Sequence, residues 1–185
     1  MTLMDGKITT PDTARDADQE PGVIREDFRA AMRKVASSVT LITTTDLLGN
    51  PHGMAATAVI SASMDPPSML VAVNRSASLA LVLGQVEHFC INLLSSDQAS
   101  IVEAFSRSDL REQRFSSGGW LRGFANLPVH ADALTAICCR KEMFFEYGTH
   151  GIYIGRVVSV ANRQEGVPLV WFAGGHATLQ TAQQG

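Results

Sequence analysis

The sequence predicts a mainly β protein, an antiparallel barrel with a few short helices, and three observations lead to this prediction. At least six segments are rich in β-branched and aromatic residues and are bounded by Gly, Pro, Asn or Asp. Helical periodicity is confined to short stretches, which argues against regularly alternating strands and helices. The 185 residues, 45% of them hydrophobic, are enough for one domain with a sizeable core.

The N-terminal half is predicted to contain a helix followed by a hairpin. In "IREDFRAAMRKVA", Phe28, Met32 and Val35 recur at helical spacing, so we expect an amphipathic helix lying on a core. Residues 38–45 and 53–60 flank a connection that contains Gly, Asn and Pro, which predicts that they pair as a hairpin. The pair Pro66 and Pro67 ends this strand region.

The next segments alternate between strands and short helices. "MLVAVN" predicts a strand that is buried on both faces, and "SASLALVLGQ" predicts a short helix capped by Ser76. "HFCINLL" is again typical of a strand. In "SSDQASIVEAF", Ser95 stands three residues before Gln98, which is the spacing of a capping box at the start of a helix.

The C-terminal half is predicted to contain a loop and then four strands. Residues 107–126 are polar, Gly-rich and partly aromatic without a clean period, which indicates a loop or lid. "ALTAICCRKEMFFEY" and "GIYIGRVVSVAN" predict two long strands joined at residues 148–150. "PLVWFA" and "HATLQ" predict a last pair of strands around Gly174 and Gly175.

Charge and composition exclude several classes of partner. Fifteen Lys and Arg against eighteen Asp and Glu give a net charge of −3, so there is no general basic field for nucleic acid or an anionic membrane. Residues 1–22 are expected to form a flexible tail ahead of a folded domain at 23–185. The tail lacks the apolar region of a secretory signal, and no stretch approaches the about 20 apolar residues of a membrane span. We therefore expect a cytoplasmic protein without a membrane partner.

The three cysteines show no Cys-x-x-Cys spacing. This pattern favours reduced structural thiols over a disulfide framework, and no motif of the chain indicates a metal site.

Residues 52–78 carry small side chains and hydroxyls where strands usually place bulky residues. The run "GMAAT" would let a planar or phosphorylated ligand approach the backbone. Beyond it, uncharged donors gather near turns and at a helix N-terminus, where N–H groups and the helix dipole favour a nucleotide phosphate: Ser61, Ser63, Asn74, Ser76 and Ser78. In the alternative interpretation, the hydroxyls form turns and caps, and the alanines pack against a neighbouring helix.

Several blocks carry a resemblance to a known family. They are "GMAATAVISASMDPPSMLVAVNRSAS", "RF" at Arg114 and Phe115, "GGW", "GTHGIYIGRV" and "PLVWFAGGH", and they follow one another between Phe28 and Leu179. Their order and spacing resemble the flavin reductase family with the FMN-binding split-barrel fold, the small reductase components of two-component flavin monooxygenases. The resemblance implies an antiparallel split β-barrel, a homodimer, and a flavin-dependent monooxygenase as partner.

The resemblance also implies which residues hold the flavin. Asn74, Ser76 and Ser78 would lie by the phosphate. The strand and loop that flank the flavin ring and ribityl chain would supply Met54, Ala55, Ala56, Thr57, Ala58, Ser61 and Ser63. This sequence departs from the family at four positions: Ala55 stands where Thr is common, Thr57 where Asn is usual, Thr149 replaces an Asp, and His176 replaces a frequent Tyr.

Four residues are candidates for the nicotinamide half of the site. His150 matches the histidine of the family's Gly-Asp-His pattern and is the candidate catalytic residue, a donor beside the nicotinamide; without that pattern it would be an ordinary turn residue. His176 follows two glycines and could lie at the same mouth. Arg114 could bind a phosphate and Phe115 could cover the nicotinamide, or both could belong to a packed loop. Trp120 and Trp171 are expected in the core or a dimer interface, with stacking on a cofactor as the alternative.

These expectations together describe an NAD(P)H:flavin oxidoreductase. It would reduce FMN or FAD with NADH or NADPH and supply the reduced flavin to a partner monooxygenase. Hydride transfer needs no protein nucleophile, which agrees with the lack of catalytic-triad or Gly-x-Ser-x-Gly motifs. A non-enzymatic FMN-binding or sensor module is the alternative, suggested by Thr149 and His176. A relative of the pyridoxamine phosphate oxidases is a third possibility, against which the Pro-Pro and Gly-Thr-His blocks argue.

Overall fold

The computed structural model describes residues 21–116 and 118–179. The chain divides into two compact units, residues 1–35 and 36–185. Within the described part of the first unit, helix α1 spans Pro21–Met32. The predicted flexible tail at 1–22 lies almost wholly outside the described residues.

Helix α1 confirms the predicted helix but not its predicted burial. Phe28 is 64% exposed, and Met32 and Val35 are about half exposed. Within the described part of the first unit, this apolar stripe is therefore not buried. An apolar helix stripe needs a second surface to cover it, and its periodicity alone does not say which surface that is.

The second unit is mainly β, as predicted. In chain order, its strands and helices are β1 (Ser37–Ser38), β2 (Thr40–Thr45), β3 (Pro51–Ala56), β4 (Val59–Met64), β5 (Pro67–Asn74), α2 (Ser78–Gln85), β6 (His88–Leu93), α3 (Ala99–Ser106), β7 (Trp120–Arg122), β8 (Pro128–His130), β9 (Thr135–Tyr147), β10 (His150–Asn162), β11 (Leu169–Phe172) and β12 (Gly175–Thr178). Short 3-10 helices lie at Ser96–Gln98, Arg111–Gln113 and Phe124–Asn126. None of the described helices has the length and apolar character that crossing a bilayer requires.

The strands form three sheets. Seven antiparallel strands follow the order β3-β2-β6-β9-β10-β5-β4, and smaller sheets have the orders β1-β11-β12 and β7-β8. β9 and β10 pair over almost their whole length, from His150 opposite Tyr147 to Asn162 opposite Thr135. Just before the edge strand β4, the carbonyl of Ala58 accepts a hydrogen bond at 3.0 Å from the main-chain N–H of Ala72 on β5.

Two apolar clusters form the main core. Ile42, Val71, Phe89 and Ile91 lie beneath α2, and they are at most 2% exposed. A second cluster under α3 contains Val39, Leu41, Leu94, Val102, Phe105 and Leu169. Full burial of such a side chain stabilises a fold by about 1.5–3 kcal/mol, so these clusters fix the frame on which the site is built.

Two local predictions are wrong. The predicted strand at 53–60 is two strands, because β3 ends at Ala56 against β2 while β4 begins at Val59 against β5. Ser76 does not cap α2, whose N-cap is Ala77 without a side-chain hydrogen bond. The capping box of Ser95 and Gln98 is confirmed.

Two further predictions are confirmed in part. β5 buries Val71 and Val73 completely but leaves Leu70 and Ala72 half-buried, so it is not buried on both faces. The described part of the predicted loop at 107–126 is mostly irregular, but it contains β7.

Candidate functional site

The small residues at the end of β3 line a narrow cleft. Ala55, Ala56 and Thr57 form one wall of a cavity of about 210 Å³, which Val39, Val102, Ser106 and Trp171 complete. The hydroxyl of Thr40 donates to the carbonyl of Ala56 at 2.8 Å and fixes the end of the strand. Because methyl groups project little from a strand, the main chain of this wall is open to a flat ligand.

Gly53 serves packing instead. A Cβ at this position would lie 2.8 Å from Cε1 of Phe105 and 3.1 Å from the carbonyl oxygen of Ile42. α3 therefore approaches the strand at Gly53. The alternative interpretation, in which the alanines pack against a neighbouring helix, fits Ala55, which packs against the cluster that contains Val102 and Phe105 of α3. Farther along, Met54 and Ala58 flank the cleft-lining residues in sequence; Met54 packs against the core, and Ala58 is exposed.

The hydroxyl-rich turn before α2 is held by the Asn74 side chain. Its Oδ1 accepts hydrogen bonds from the main-chain N–H of Ser76 at 3.0 Å and from the Ser76 hydroxyl at 2.9 Å. Ser78 is the first residue of α2, and no side chain caps the helix. The first N–H groups of α2 therefore remain available to an anion, as the sequence predicts.

Ser61 and Ser63 lie on β4, before the turn at Pro66. The Ser63 hydroxyl donates to the Asp65 carbonyl at 3.0 Å and accepts from the Asp65 N–H at 3.1 Å, so it forms a local turn. Ser61 is exposed and lies opposite Met69 in the sheet. The turn-forming interpretation thus fits Ser63, while Ser61 has a free surface position.

His150 lies beside the turn at Asn74 that precedes α2. It begins β10 and pairs with Asn74 of β5 and with Tyr147 of β9. The Thr149 hydroxyl is 2.9 Å from Nδ1 of His150, and the Thr149 carbonyl accepts from the main-chain N–H of Arg75 at 3.0 Å. The structure therefore brings the candidate catalytic residue next to the predicted phosphate-binding residues.

The Arg114 side chain is buried and hydrogen-bonded to the main chain. It is 7% exposed, and its guanidinium donates to the main-chain carbonyls of Gly53 at 2.6 Å, Ala104 at 2.9 Å and Arg107 at 3.1 Å. Burial lowers the pKa of this guanidinium, and the three carbonyls stabilise its charge. Because these bonds occupy the side chain, the structure supports the packed-loop interpretation, which the sequence offered beside the cofactor contact.

Phe115 also belongs to the packed loop. Its ring lies edge-on to Phe105 at 5.3 Å and to Trp120 at 4.8 Å between centroids. The prediction that Phe115 covers the nicotinamide is not supported by this arrangement. Trp120 lies in the same aromatic cluster, as expected for a packing residue.

Trp171 lines the cleft together with the small residues. It is 41% exposed in the single chain, so it does not lie in the core, and its place in a dimer interface stays a prediction. His176 is its cross-strand partner and lies edge-on to the indole, with ring centroids 5.4 Å apart. His176 therefore reaches the cleft through Trp171. The signal in the sequence was the position of a tryptophan in a short strand next to Gly174 and Gly175.

The three cysteines are free and buried, as predicted. Cys138 and Cys139 belong to different core clusters, which agrees with opposite faces of β9. Burial raises the pKa of the Cys139 thiol to about 12, so it is an unreactive thiol at neutral pH. Within residues 21–116 and 118–179, no group of three or more His, Cys, Asp or Glu could hold a metal ion.

Comparison with known proteins places this geometry in context. A family model described as "Flavin reductase like domain" matches residues 32–180. The reductase component of FADH(2)-dependent resorcinol hydroxylase from Rhizobium sp. (strain MTP-10005) is 39% identical over 157 residues, which cover 82% of this chain and 85% of that protein.

Two further proteins are similar over most of the chain. The FMN reductase (NADH) RutF of Klebsiella pneumoniae (strain 342) is 34% identical over 155 residues, covering 84% of this chain and 94% of that protein. The solved structure of flavin reductase PheA2 in its native state has a TM-score of 0.74 and 31% identity, covering 84% of this chain and 98% of that chain.

Proposed function

The chain belongs to the flavin reductase like domain family, and from this premise we propose that it is a flavin reductase that uses NADH to reduce FMN or FAD. The observation that carries the proposal is the family match, which includes both the cleft at Ala55–Thr57 and the turn at Asn74. A bound flavin would supply the hydride-accepting chemistry, and the protein would supply binding and orientation.

The small-residue wall suits the flavin ring. Ala55 and Ala56 leave the main chain accessible, while Val39 and Val102 make the cleft partly apolar. Thr57 adds a hydroxyl at the exposed end of the wall, where the polar edge of a flavin needs donors or acceptors. The residues present therefore fit a planar ring with one polar edge.

The turn before α2 suits the flavin phosphate. The bonds to Asn74 fix the turn, and the free N–H groups of α2 carry the positive end of the helix dipole. A phosphate at this place would be stabilised without a positively charged side chain. Arg75 does not supply that charge freely, because its guanidinium binds Glu146 at 2.6 Å.

His150 is proposed as the catalytic residue that the protein contributes to the reaction. The Thr149 hydroxyl engages Nδ1, so Nε2 is the nitrogen left for a contact with the nicotinamide or the flavin edge. An N–H donor placed there stabilises negative charge that develops during hydride transfer. Thr149 thus orients His150 from the position where the family pattern has an aspartate.

We also propose that the protein works as a homodimer. The end of β9 presents Met143, Phe145 and Tyr147 on one face of the strand, and they are 48% to 80% exposed in the single chain. Contiguous exposed apolar side chains of this size mark an interaction surface. Light scattering on the intact protein should give twice the mass of one chain, and Phe145→Glu should shift the mass toward the monomer. A monomeric wild-type protein would contradict the dimer.

A monooxygenase partner and a cytoplasmic location complete the proposal. The partner is supported by the resemblance to a hydroxylase's reductase component, with the reduced flavin passed on as a product. The cytoplasm is supported by three unpaired cysteines, which suit a reducing compartment.

The test is anaerobic mixing of the protein with NADH and excess flavin. Loss of the visible flavin absorbance at a rate proportional to protein concentration supports the enzyme. NADPH in place of NADH, and FMN against FAD, give the preferred pair. Flavin that binds tightly and is reduced by neither nucleotide would overturn the enzyme and favour a non-enzymatic flavin-binding module.

A further inference from the structure

Trp171 occupies an unusual position for a tryptophan. It lies on β11, the central strand of the sheet β1-β11-β12, yet 41% of its surface is exposed. Its main chain is fixed from both sides, by Ser37 on β1 and by His176 on β12. A large aromatic side chain on a well-paired strand keeps its place while it remains open to a ligand.

The exposed indole shares a cavity with small side chains. Trp171 lines the same cavity of about 210 Å³ as Ala55, Ala56 and Thr57, so one aromatic side chain and three small residues contribute to its wall. The His176 ring packs against the indole at 74°, with ring centroids 5.4 Å apart. A T-shaped contact of this kind fixes the orientation of the indole and occupies at most one of its two faces.

We propose that Trp171 is a flavin-binding residue that stacks on the isoalloxazine ring, which it holds against Ala55–Thr57; this inference rests on the proposed function. A tryptophan loses few rotatable bonds on stacking and gives a large contact area. The electron-rich indole and the electron-poor flavin ring favour an offset stack. His176 is the positioning residue that keeps the indole turned toward the cleft.

A second copy of the chain is the competing occupant of this surface. The exposed apolar residues Met143, Phe145 and Tyr147 share one face of β9, and such a row of large side chains suits a protein interface. Phe172 provides an internal comparison. It is 46% exposed and follows Trp171 on β11, so its side chain points to the opposite face of the strand and does not line the cleft.

Equilibrium dialysis of FMN and FAD against three variants tests the inference. Trp171→Ala should weaken flavin binding roughly tenfold, because both the stacking contact and its buried area are lost. Trp171→Phe keeps an aromatic ring and should stay within about threefold of the wild type. Phe172→Ala is the matched control and should bind like the wild type. Equal affinities of the wild type and Trp171→Ala would overturn the inference.

Fluorescence gives a second readout, because the chain has only two tryptophans. Trp120→Phe leaves Trp171 as the sole emitter, and a stacked indole should lose emission amplitude on flavin binding without a change of lifetime. Trp171→Phe leaves Trp120, which should show only a shortened lifetime from energy transfer to the flavin. If Trp120→Phe fails to fold, the wild-type decay minus the Trp171→Phe decay gives the same component. A shortened lifetime alone for Trp171 would contradict stacking.

The two proposals fail in different ways. If the wild type binds neither FMN nor FAD in dialysis, the proposed function is wrong. If the wild type binds flavin and reduces it with NADH while Trp171→Ala behaves identically, only the stacking inference is wrong. If Trp171→Ala changes the mass in light scattering and leaves flavin binding intact, the indole belongs to an interface and the inference is overturned.

Discussion

His150 lies directly opposite Asn74 in the pairing of β10 with β5, although the two residues are far apart in the sequence. The main-chain hydrogen bond from Arg75 to the Thr149 carbonyl continues this pairing into both turns. The hairpin that carries the candidate catalytic histidine and the turn that precedes α2 are therefore one rigid unit. A change in either turn is expected to be felt by the other.

Replacing His150 by Ala should slow reduction and spare binding. The change removes a donor but no core contact, so flavin affinity in dialysis should stay within about twofold, while the anaerobic reduction rate falls about tenfold or more, as expected for one hydrogen bond to a charged group. His52→Ala is the matched control, because His52 lies by the other hairpin turn, where it binds Asp46 at 3.0 Å. Unchanged reduction by His150→Ala would remove His150 from the site.

Ser78→Asp separates helix stability from phosphate binding. An aspartate in the first turn of α2 interacts favourably with the helix dipole, so the free energy of unfolding should stay the same or rise slightly. The same charge should repel the flavin phosphate and weaken FMN binding roughly tenfold. Riboflavin, which has no phosphate, should bind both proteins equally. An equal loss for riboflavin and FMN would place the phosphate elsewhere.

Local signals in the sequence predicted most of the fold. β9 and β10 are long β-branched and aromatic runs, and Ser95 with Gln98 forms a capping box whose two hydrogen bonds are both present. The break at Thr57 and Ala58 was missed. It arises because β4 pairs with β5, and a short stretch of sequence does not show which strand its neighbour in the sheet will be.

The site was predicted less completely for a similar reason. The cleft-lining alanines and the turn at Asn74 were predicted, because small residues and clustered hydroxyls are visible directly in the sequence. The sequence left two roles open for Arg114, because its three partners are main-chain carbonyls, which no residue type signals. It did not show that Trp171 lines the cleft, because exposure on a central strand depends on the packing of distant segments.

Arg114→Met should destabilise the protein rather than abolish cofactor contacts. Loss of the guanidinium leaves three carbonyls without their donor, which should lower the free energy of unfolding by about 2–3 kcal/mol. Arg114→Lys should show a smaller loss, since one ammonium group reaches only some of the carbonyls. Urea unfolding measures the difference. Wild-type stability with weakened flavin or NADH binding would restore Arg114 as a cofactor ligand.

His130 should make the protein less stable in weak acid. Its Nδ1 lies 3.0 Å from Nε2 of Gln98, whose Oε1 accepts from the Ser95 N–H, so the Gln98 amide donates and Nδ1 of a neutral His130 accepts. Burial lowers the pKa of His130, and the nearby Asp132 opposes this only in part. As the pH falls, His130 of the unfolded chain therefore takes up its proton at about pH 6.5, whereas His130 of the folded protein takes it up only at a lower pH.

This order of protonation sets the sign of the pH dependence. Stability from the neutral His130 is fully present above about pH 6.5 and is lost as the pH falls toward the lowered pKa of the folded protein. His130→Gln keeps an acceptor for Gln98 but cannot titrate, so its free energy of unfolding should fall less between pH 7 and pH 5 than that of the wild type. Urea unfolding of both proteins at several pH values measures the difference in slope, and the carboxylates shared by the two proteins cancel in the comparison. Parallel slopes would show that His130 has the same pKa in the folded and unfolded chains.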